Sequence, residues 1–306
     1  MKPLVFQTVS RSLLAIATGL LVLPQAGQAQ GYTGHYPAGA EGLKAGSLPP
    51  PGIYLRDYNF FYSADHFKGG PPVFDITAYL NGVRPIWISD YKILGGNYGA
   101  DVLVPFGWFN WKAGGPGAPS KSYFGVGDIH VEPITLSWHP GQFDLAVGYA
   151  FWAPNGDADP ARPALISKGF WSHMITAGAT WYPDQEKSWA ISLLNRYEVH
   201  MEHKDVKITP GNTYTLEAGI SKGVAKGIEV GVVGYLQQQV NNDTGPDVAK
   251  IGYNPRVHDR VVAFGPEVNL FCEKTKLFLS LRYLKEIAAN DRPEGHKVTL
   301  TLTKIF

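Results

Sequence analysis

The links between this chain's extended segments alternate long and short, and no other feature of the sequence constrains its fold as much. From Tyr54 onward, stretches with strand periodicity are broken by Gly, Pro, Asn and Asp clusters. Twelve are counted, at about 54–63, 73–93, 98–111, 123–138, 142–153, 170–182, 188–202, 213–222, 227–240, 258–272, 276–288 and 295–306. The even links are short, such as Gly95-Gly96-Asn97, His139–Gln142, Pro183–Lys187, Lys222–Lys226 and Glu273–Thr275. The odd links are long, including Lys112–Ser122, Ala153–Gly169 and Asn241–Val257. Transmembrane β-barrels have short turns at one end and long loops at the other, and an even strand count returns both ends of the barrel to the same side. A soluble sandwich has no reason to sort its links this way.

The faces of these segments point the same way. Side chains alternate along a strand. Phe143, Leu145, Val147, Tyr149 and Phe151 therefore oppose Asp144, Ala146, Gly148 and Ala150. Trp189, Ile191, Leu193, Tyr197 and Val199 oppose Ser192, Arg196, Glu198 and His200, and Ile228, Val230 and Val232 oppose Glu229, Gly231, Gln237 and Gln239. Leu277, Leu279 and Leu281 oppose Ser280 and Arg282; Tyr214, Leu216 and Ile220 oppose Thr213, Thr215, Glu217 and Ser221. In the last segment Val298, Leu300 and Leu302 oppose Thr299, Thr301 and Thr303, and the segment ends on Phe306. A charge on the lipid face of a barrel costs about 2–4 kcal/mol at the midplane, so the charged face is assigned to a lumen. In segment 123–138 the phase changes at Pro133, which calls for a bulge there. Pro85 suggests either a bulge or a division of segment 73–93.

The amino end adds an export signal. Lys2 and Arg11 precede an apolar run, Leu13–Leu23, followed by Pro24 and the small-residue site Gly27-Gln28-Ala29. This reads as a signal peptide over residues 1–29, and its apolar run is too short to span roughly 30 Å of hydrocarbon. Residues 30–53 follow, rich in Gly and closing on Pro49-Pro50-Pro51-Gly52, which argues against helix or central strand. They are read as a lead-in or lumen plug before a barrel over residues 54–306. A single cysteine, Cys272, rules out an internal disulfide, and a net charge of +1 gives no basic field for nucleic acid. Aromatics reach 13%, an excess that interfacial girdles would use. The expected fold is all-β: a transmembrane antiparallel barrel of twelve strands (fourteen as the alternative) with a Gly/Pro-rich N-terminal segment.

Several short motifs then resemble one family. They are Gly125-Val126-Gly127-Asp128-Ile129 leading to Pro133, Pro154-Asn155-Gly156, Val230–Tyr235 followed by Gln237–Gln239, and Phe264-Gly265-Pro266-Glu267. With the Gly/Pro-rich start, their order is similar to the MetA-pathway phenol-degradation (SphA-like) outer-membrane proteins. That resemblance implies a bacterial outer-membrane channel for passive uptake of small hydrophobic or aromatic compounds, and it brings no catalytic residues. The expected lumen lining is Asp128, His130, Glu132, Arg196, Glu198, His200, Glu217, Glu229, Gln237, Gln239 and Arg282, with Tyr235 and a loop Trp152 as contacts for aromatic solutes. Expected partners are outer-membrane lipid, the solute, and the barrel-assembly machinery through Phe306. No cofactor is expected.

Three constellations invite chemistry. Glu198, His200 and Glu202 share a strand face beside His203 in a pattern that could hold a metal; a polar lumen end is preferred, because no supporting partner is visible in sequence. Asp128, His130 and Glu132 also share a face, and a charged wall paired with Arg196 and Arg282 is preferred over an acid–base site. Ser172 and His173 are adjacent, so they face opposite ways and form no dyad. An outer-membrane lipase- or protease-like enzyme and a structural barrel remain the alternatives. Asp157, Asp159 and Gln237–Thr244 are read as solvated loops rather than calcium ligands.

Overall fold

The computed structural model describes residues 33–157, 166–250 and 254–306; the signal peptide, the first residues of the N-terminal segment and Asp159 lie outside them. Twelve strands form the wall. They are β1 (Gly52–Ala64), β2 (Val73–Ile93), β3 (Gly96–Gly114), β4 in two pieces (Lys121–Val126 and Ile129–Trp138), β5 (Phe143–Ala153) and β6 (Ser172–Trp181). The rest are β7 (Trp189–His200), β8 (Thr213–Ala225), β9 (Ile228–Gln239), β10 (Arg260–Cys272), β11 (Leu277–Asn290) and β12 (His296–Ile305). Each pairs antiparallel with the next, and the ring closes where β1 pairs with β12, from Tyr54↔Ile305 to Ser63↔His296. Closure leaves no sheet edge in lipid, where an unpaired backbone group would cost several kcal/mol. The count is twelve, not fourteen.

The wall is apolar outside and charged inside. Val232 is 56% exposed, and Leu193, Ile220, Phe264 and Leu281 are exposed with it. Arg282, Glu198 and Glu217 are almost fully buried. This inverts a soluble protein and follows the two-residue period read above. Phe306 is exposed, and its N–H donates to the carbonyl of Ile53 at 3.1 Å.

Two irregularities re-aim side chains. The register between β4 and β5 shifts between Val131 and Ile134, so the bulge expected near Pro133 is present, and Thr135 and Ser137 return to the inside. Pro85, by contrast, sits in regular pairing opposite Leu55, and β2 is one continuous strand. Its irregularity against β3 lies at Ile88–Lys92 instead. Pro85 leaves the register intact: pairing with β1 is continuous, and pairing with β3 lapses only between Val83 and Ile86, where the missing N–H falls, and resumes in the same register.

Residues 33–51 have no strand or helix and run inside the barrel. Tyr36, Ala38, Ala40 and Leu43 are buried there, with Ala38 and Leu43 packed on Val233, Tyr235, Val261, Ala263 and Leu284 of the wall. The segment begins near the long-loop end, where His35 meets Ser172, and descends to the short-turn end, where Ser47 meets Asp144.

Candidate functional site

The segment is held by wall carboxylates that accept its backbone N–H groups. Glu198 Oε1 on β7 accepts from His35 N (2.9 Å) and Tyr36 N (3.1 Å). Glu217 on β8 accepts from Gly39 N (3.0 Å) and Ala40 N (3.2 Å) through Oε1, and from Glu41 N (3.1 Å) and Gly42 N (3.4 Å) through Oε2. The Tyr36 hydroxyl also donates to Glu217. Glu267 Oε2 on β10 accepts from Leu43 N at 3.0 Å. A segment without secondary structure has unpaired N–H groups, and charge-assisted bonds to carboxylates satisfy them strongly. Gly39 and Gly42 adopt positive φ (79° and 75°), which turns the backbone around Glu217. A Cβ on Gly42 would collide with the Arg282 guanidinium and the Glu267 carboxylate, which are locked in their own ion pair, so glycine is required there.

Midway down, Glu41 of the segment meets three arginines of the wall. Its carboxylate lies 2.7 Å from Arg56, 2.9 Å from Arg84 and 3.5 Å from Arg196. Arg84 also binds Asp101 and Glu132, each at 2.7 Å. Arg196 stacks its guanidinium over the Tyr36 ring at 4.0 Å. Glu41 borders the cavity above, the constriction beside it and the vestibule below.

The upper cavity is about 100 Å³ and is walled by Tyr36, Tyr58, Phe60, Leu80, Leu103 and Trp152. His130 joins them with both ring nitrogens buried and without a hydrogen-bond partner, and Trp152 Nε1 is in the same condition. The lower vestibule is about 340 Å³ and includes Lys44, Glu229, Tyr182 and Arg282.

The residues expected in the lumen fall as follows. Asp128 sits in the break of β4 and accepts from Ser167 Oγ (2.6 Å), Lys168 N (2.7 Å) and Gly156 N (3.1 Å), with His35 Nε2 at 2.9 Å. The wall is charge-paired, but with other partners than expected above: Glu132 meets Arg84 and Asp128 meets His35, while Arg196 meets Glu41 and Arg282 meets Glu267 at 2.6 Å. Glu229 pairs with Lys44 of the segment at 2.8 Å. Gln237 Nε2 donates to the Tyr36 carbonyl (2.9 Å) and Thr215 Oγ1 (3.0 Å), while Gln239 Nε2 donates to Asp243 Oδ1 at the loop end (2.7 Å). Trp152 belongs to β5 rather than to a loop, and Tyr235 packs against the segment outside the aromatic cavity.

Glu202 does not join Glu198 and His200. Strand β7 ends at His200, and Glu202 beyond it is exposed. The third member is His35, 163 residues upstream of Glu198. Arg84, Asp101, Glu41, Arg56 and Glu267 were also missed. For Arg56, Arg84, Asp101 and Glu267 the signal was available: a charge inside a strand of a lipid-facing barrel must point inward.

Asp128, His35 and Ser172 form a chain in the order of a hydrolytic triad, with His35 Nδ1 2.7 Å from Ser172 Oγ. However, Ser172 is fully buried, shares its hydroxyl with His200 Nδ1 at 2.6 Å, and does not line the aromatic cavity. No acyl carbon could reach that oxygen without removing the segment, so the chain is a fastening rather than a nucleophile. Nearby, Lys168 Nζ donates to Thr33 Oγ1 at 2.8 Å, and its pKa falls to about 8 through burial and then through the charge of Arg292.

No curated protein matches the chain. Among solved structures, an outer membrane channel from Pseudomonas putida F1 superposes with a TM-score of 0.72 at 15% identity, covering 85% of this chain and 97% of that one. The beta domain of the Bordetella autotransporter BrkA aligns at 0.46 and 11% identity, covering 83% and 99%. The KdgM porin aligns at 0.41 and 8%, covering 83% and 99%. The first of these shows the same barrel fold. A family profile matches residues 62–302, most of the wall, and the chain belongs to the family described as "Putative MetA-pathway of phenol degradation".

Proposed function

We propose that the protein is a passive channel for small hydrophobic or aromatic compounds, closed at rest by residues 33–51. It is a β-barrel of the bacterial outer membrane. The observation that carries the cargo reading is the upper cavity. Aromatic and aliphatic side chains make up much of its wall beside the charged Glu41, Arg84, Asp128 and Arg196, and its orphaned polar groups are the His130 imidazole, the Trp152 indole N–H and Arg196 Nε. An aromatic solute bearing a hydroxyl would bury its ring there, donate to His130 and accept from Trp152, satisfying groups that are costly to leave unpaired. Benzene fits an engineered cavity of about 150 Å³, so the resting space is somewhat small for one ring. Entry therefore goes with displacement of the segment, whose Glu41 separates the cavity from the vestibule.

The family and the channel-like neighbour support this reading. The test is uptake of 4-hydroxybenzoate, an anion that crosses lipid poorly, into liposomes carrying the full protein or a variant lacking residues 33–51. Uptake should be slow with the full protein and fast with the truncated one, and His130→Leu should reduce selectivity over a sugar of similar size. Uptake equal to that of protein-free liposomes in both cases would reject the channel. Equal passage of sugar and aromatic through the truncated form would reject the cargo class.

A further inference from the structure

The loop end of the segment holds a cluster that the channel reading does not use. His35, Glu198 and His200 each offer a ligand atom within 4.8 Å of the others. His35 comes from the segment, and Glu198 and His200 come from β7. Both histidines aim Nδ1 at one point, since both nitrogens contact Ser172 Oγ, at 2.7 and 2.6 Å.

The far side of each ring is fastened. His35 Nε2 meets the Asp128 carboxylate at 2.9 Å, and His200 Nε2 meets Thr213 Oγ1 at 3.1 Å. A carboxylate can only accept, so Asp128 fixes the proton of His35 on Nε2 and leaves the Nδ1 lone pair facing the cluster, where it accepts from the Ser172 hydroxyl until a cation replaces that contact. Metal-binding histidines characteristically donate their other N–H to a carboxylate or carbonyl in this way. The sequence offered no such supporting partner, because both the ring and its fastening come from distant parts of the chain.

A second observation is independent of the ring geometry. Glu198 Oε1 is taken by the segment's backbone, but Oε2 is buried with no hydrogen-bond partner. A lone carboxylate oxygen in a dry site is costly, and a cation removes that cost. The donor set is two imidazole nitrogens, one carboxylate oxygen and the Ser172 hydroxyl or a water. That set suits zinc and its first-row neighbours, and it holds too few oxygens for calcium or magnesium. Tetrahedral bonds of about 2.1 Å place ligands roughly 3.4 Å apart, so side-chain rotation must draw the cluster together. Lys168 and Arg196 are the cations that act on Glu198, and Asp128 is a second carboxylate against Lys168.

We infer that His35, Glu198 and His200 form a zinc-type divalent cation site that pins the N-terminal segment to the barrel wall. The site is complete only while the segment is seated. Metal binding therefore favours the closed lumen by the factor 1 + [M]/Kd, and removal of metal releases it. The inference does not depend on which solute passes.

The experiment uses the full refolded protein, stripped with a chelator and titrated with Co²⁺. One equivalent should give the intense visible bands of a four-coordinate ion, and Zn²⁺ should erase them. His35→Ala leaves the wall's strand pairing untouched and should abolish the bands, as should His200→Gln. Asp128→Asn should weaken binding about 10- to 100-fold by loosening His35. His139→Gln, at the opposite end of the barrel, should change nothing. Hydrogen exchange within residues 33–51 should slow when Zn²⁺ is added. The inference is overturned if folded protein, verified by heat-dependent gel migration, gives no bands or only weak six-coordinate ones. It is also overturned if His35→Ala binds as well as the parent, or if bound Zn²⁺ leaves exchange in the segment unchanged.

Discussion

Replacing Glu41 with Gln should unseat the N-terminal segment while leaving the wall intact. The carboxylate faces Arg56, Arg84 and Arg196 at 2.7, 2.9 and 3.5 Å. Arg84 keeps Asp101 and Glu132 after the substitution, so its loss is partly covered. Arg196 is buried and forms no ion pair with a second carboxylate among the described residues, whereas Arg56 is 24% exposed and gains some water. Removing one member of a buried pair costs about 3–5 kcal/mol, and the exposure of Arg56 argues for the lower end, about 3 kcal/mol. At about 1.4 kcal/mol per factor of ten, the ratio of seated to released segment should fall about a hundredfold. Single-channel recording in a planar bilayer reads that ratio as open probability. Glu229→Gln is the control: its partner Lys44 is 33% exposed, and such a pair is worth about 0–1 kcal/mol. An open probability for Glu41→Gln within twofold of the parent, or no larger than that of Glu229→Gln, would refute the assignment of Glu41 as the central lock.

Three further outcomes are expected. Gly42→Ala should also release the segment, because its positive φ and the closeness of Arg282 and Glu267 exclude a methyl group; Gly115→Ala, in open space, should not, and equal conductance of the two would count against the docking geometry. Val232→Arg puts a charge on the lipid face and should lower folding stability by about 2–4 kcal/mol in a urea titration with lipid vesicles; an unchanged midpoint would contradict the outward assignment of β9. Lys168 binds its proton less tightly when folded, about 8 against 10.5, so between those values the unfolded chain holds more protons and stability rises with pH. The difference in urea midpoint between the parent and Lys168→Met should therefore grow in the parent's favour from pH 8 to 10.5, and parallel profiles would refute it.

Much of the wall was legible because lipid imposes two simple rules. Every backbone group must pair within the wall, and charges must face inward. The link lengths and the period of two therefore gave twelve strands, the bulge near Pro133 and the inward placement of Arg196, Glu198, Glu217 and Arg282. Pro85 misled because a proline disrupts a ladder only where its N–H is needed, and that depends on the neighbouring strand's register. Glu202 misled because alternation continues on paper past the point where β7 ends.

Partners inside the lumen were a different problem. Alternation says which side a residue occupies, but not which residue stands across from it. Arg282 stands directly opposite Glu267 in the β10–β11 register, and Glu132, opposite Asp101 on β3, reaches Arg84 on the strand beyond, so strand register decides both partners. Residues 33–51 have no periodicity to read: their conformation is set by Glu198, Glu217 and Glu267 reaching in from the wall. The sequence by itself determined a closed barrel with an oily outside and a charged inside, since solvent and backbone chemistry act on every residue locally. Only the tertiary structure decided that Glu41 meets its arginines and that His35 reaches Glu198 and His200, since those meetings join residues that are distant in the chain and belong to no repeating pattern.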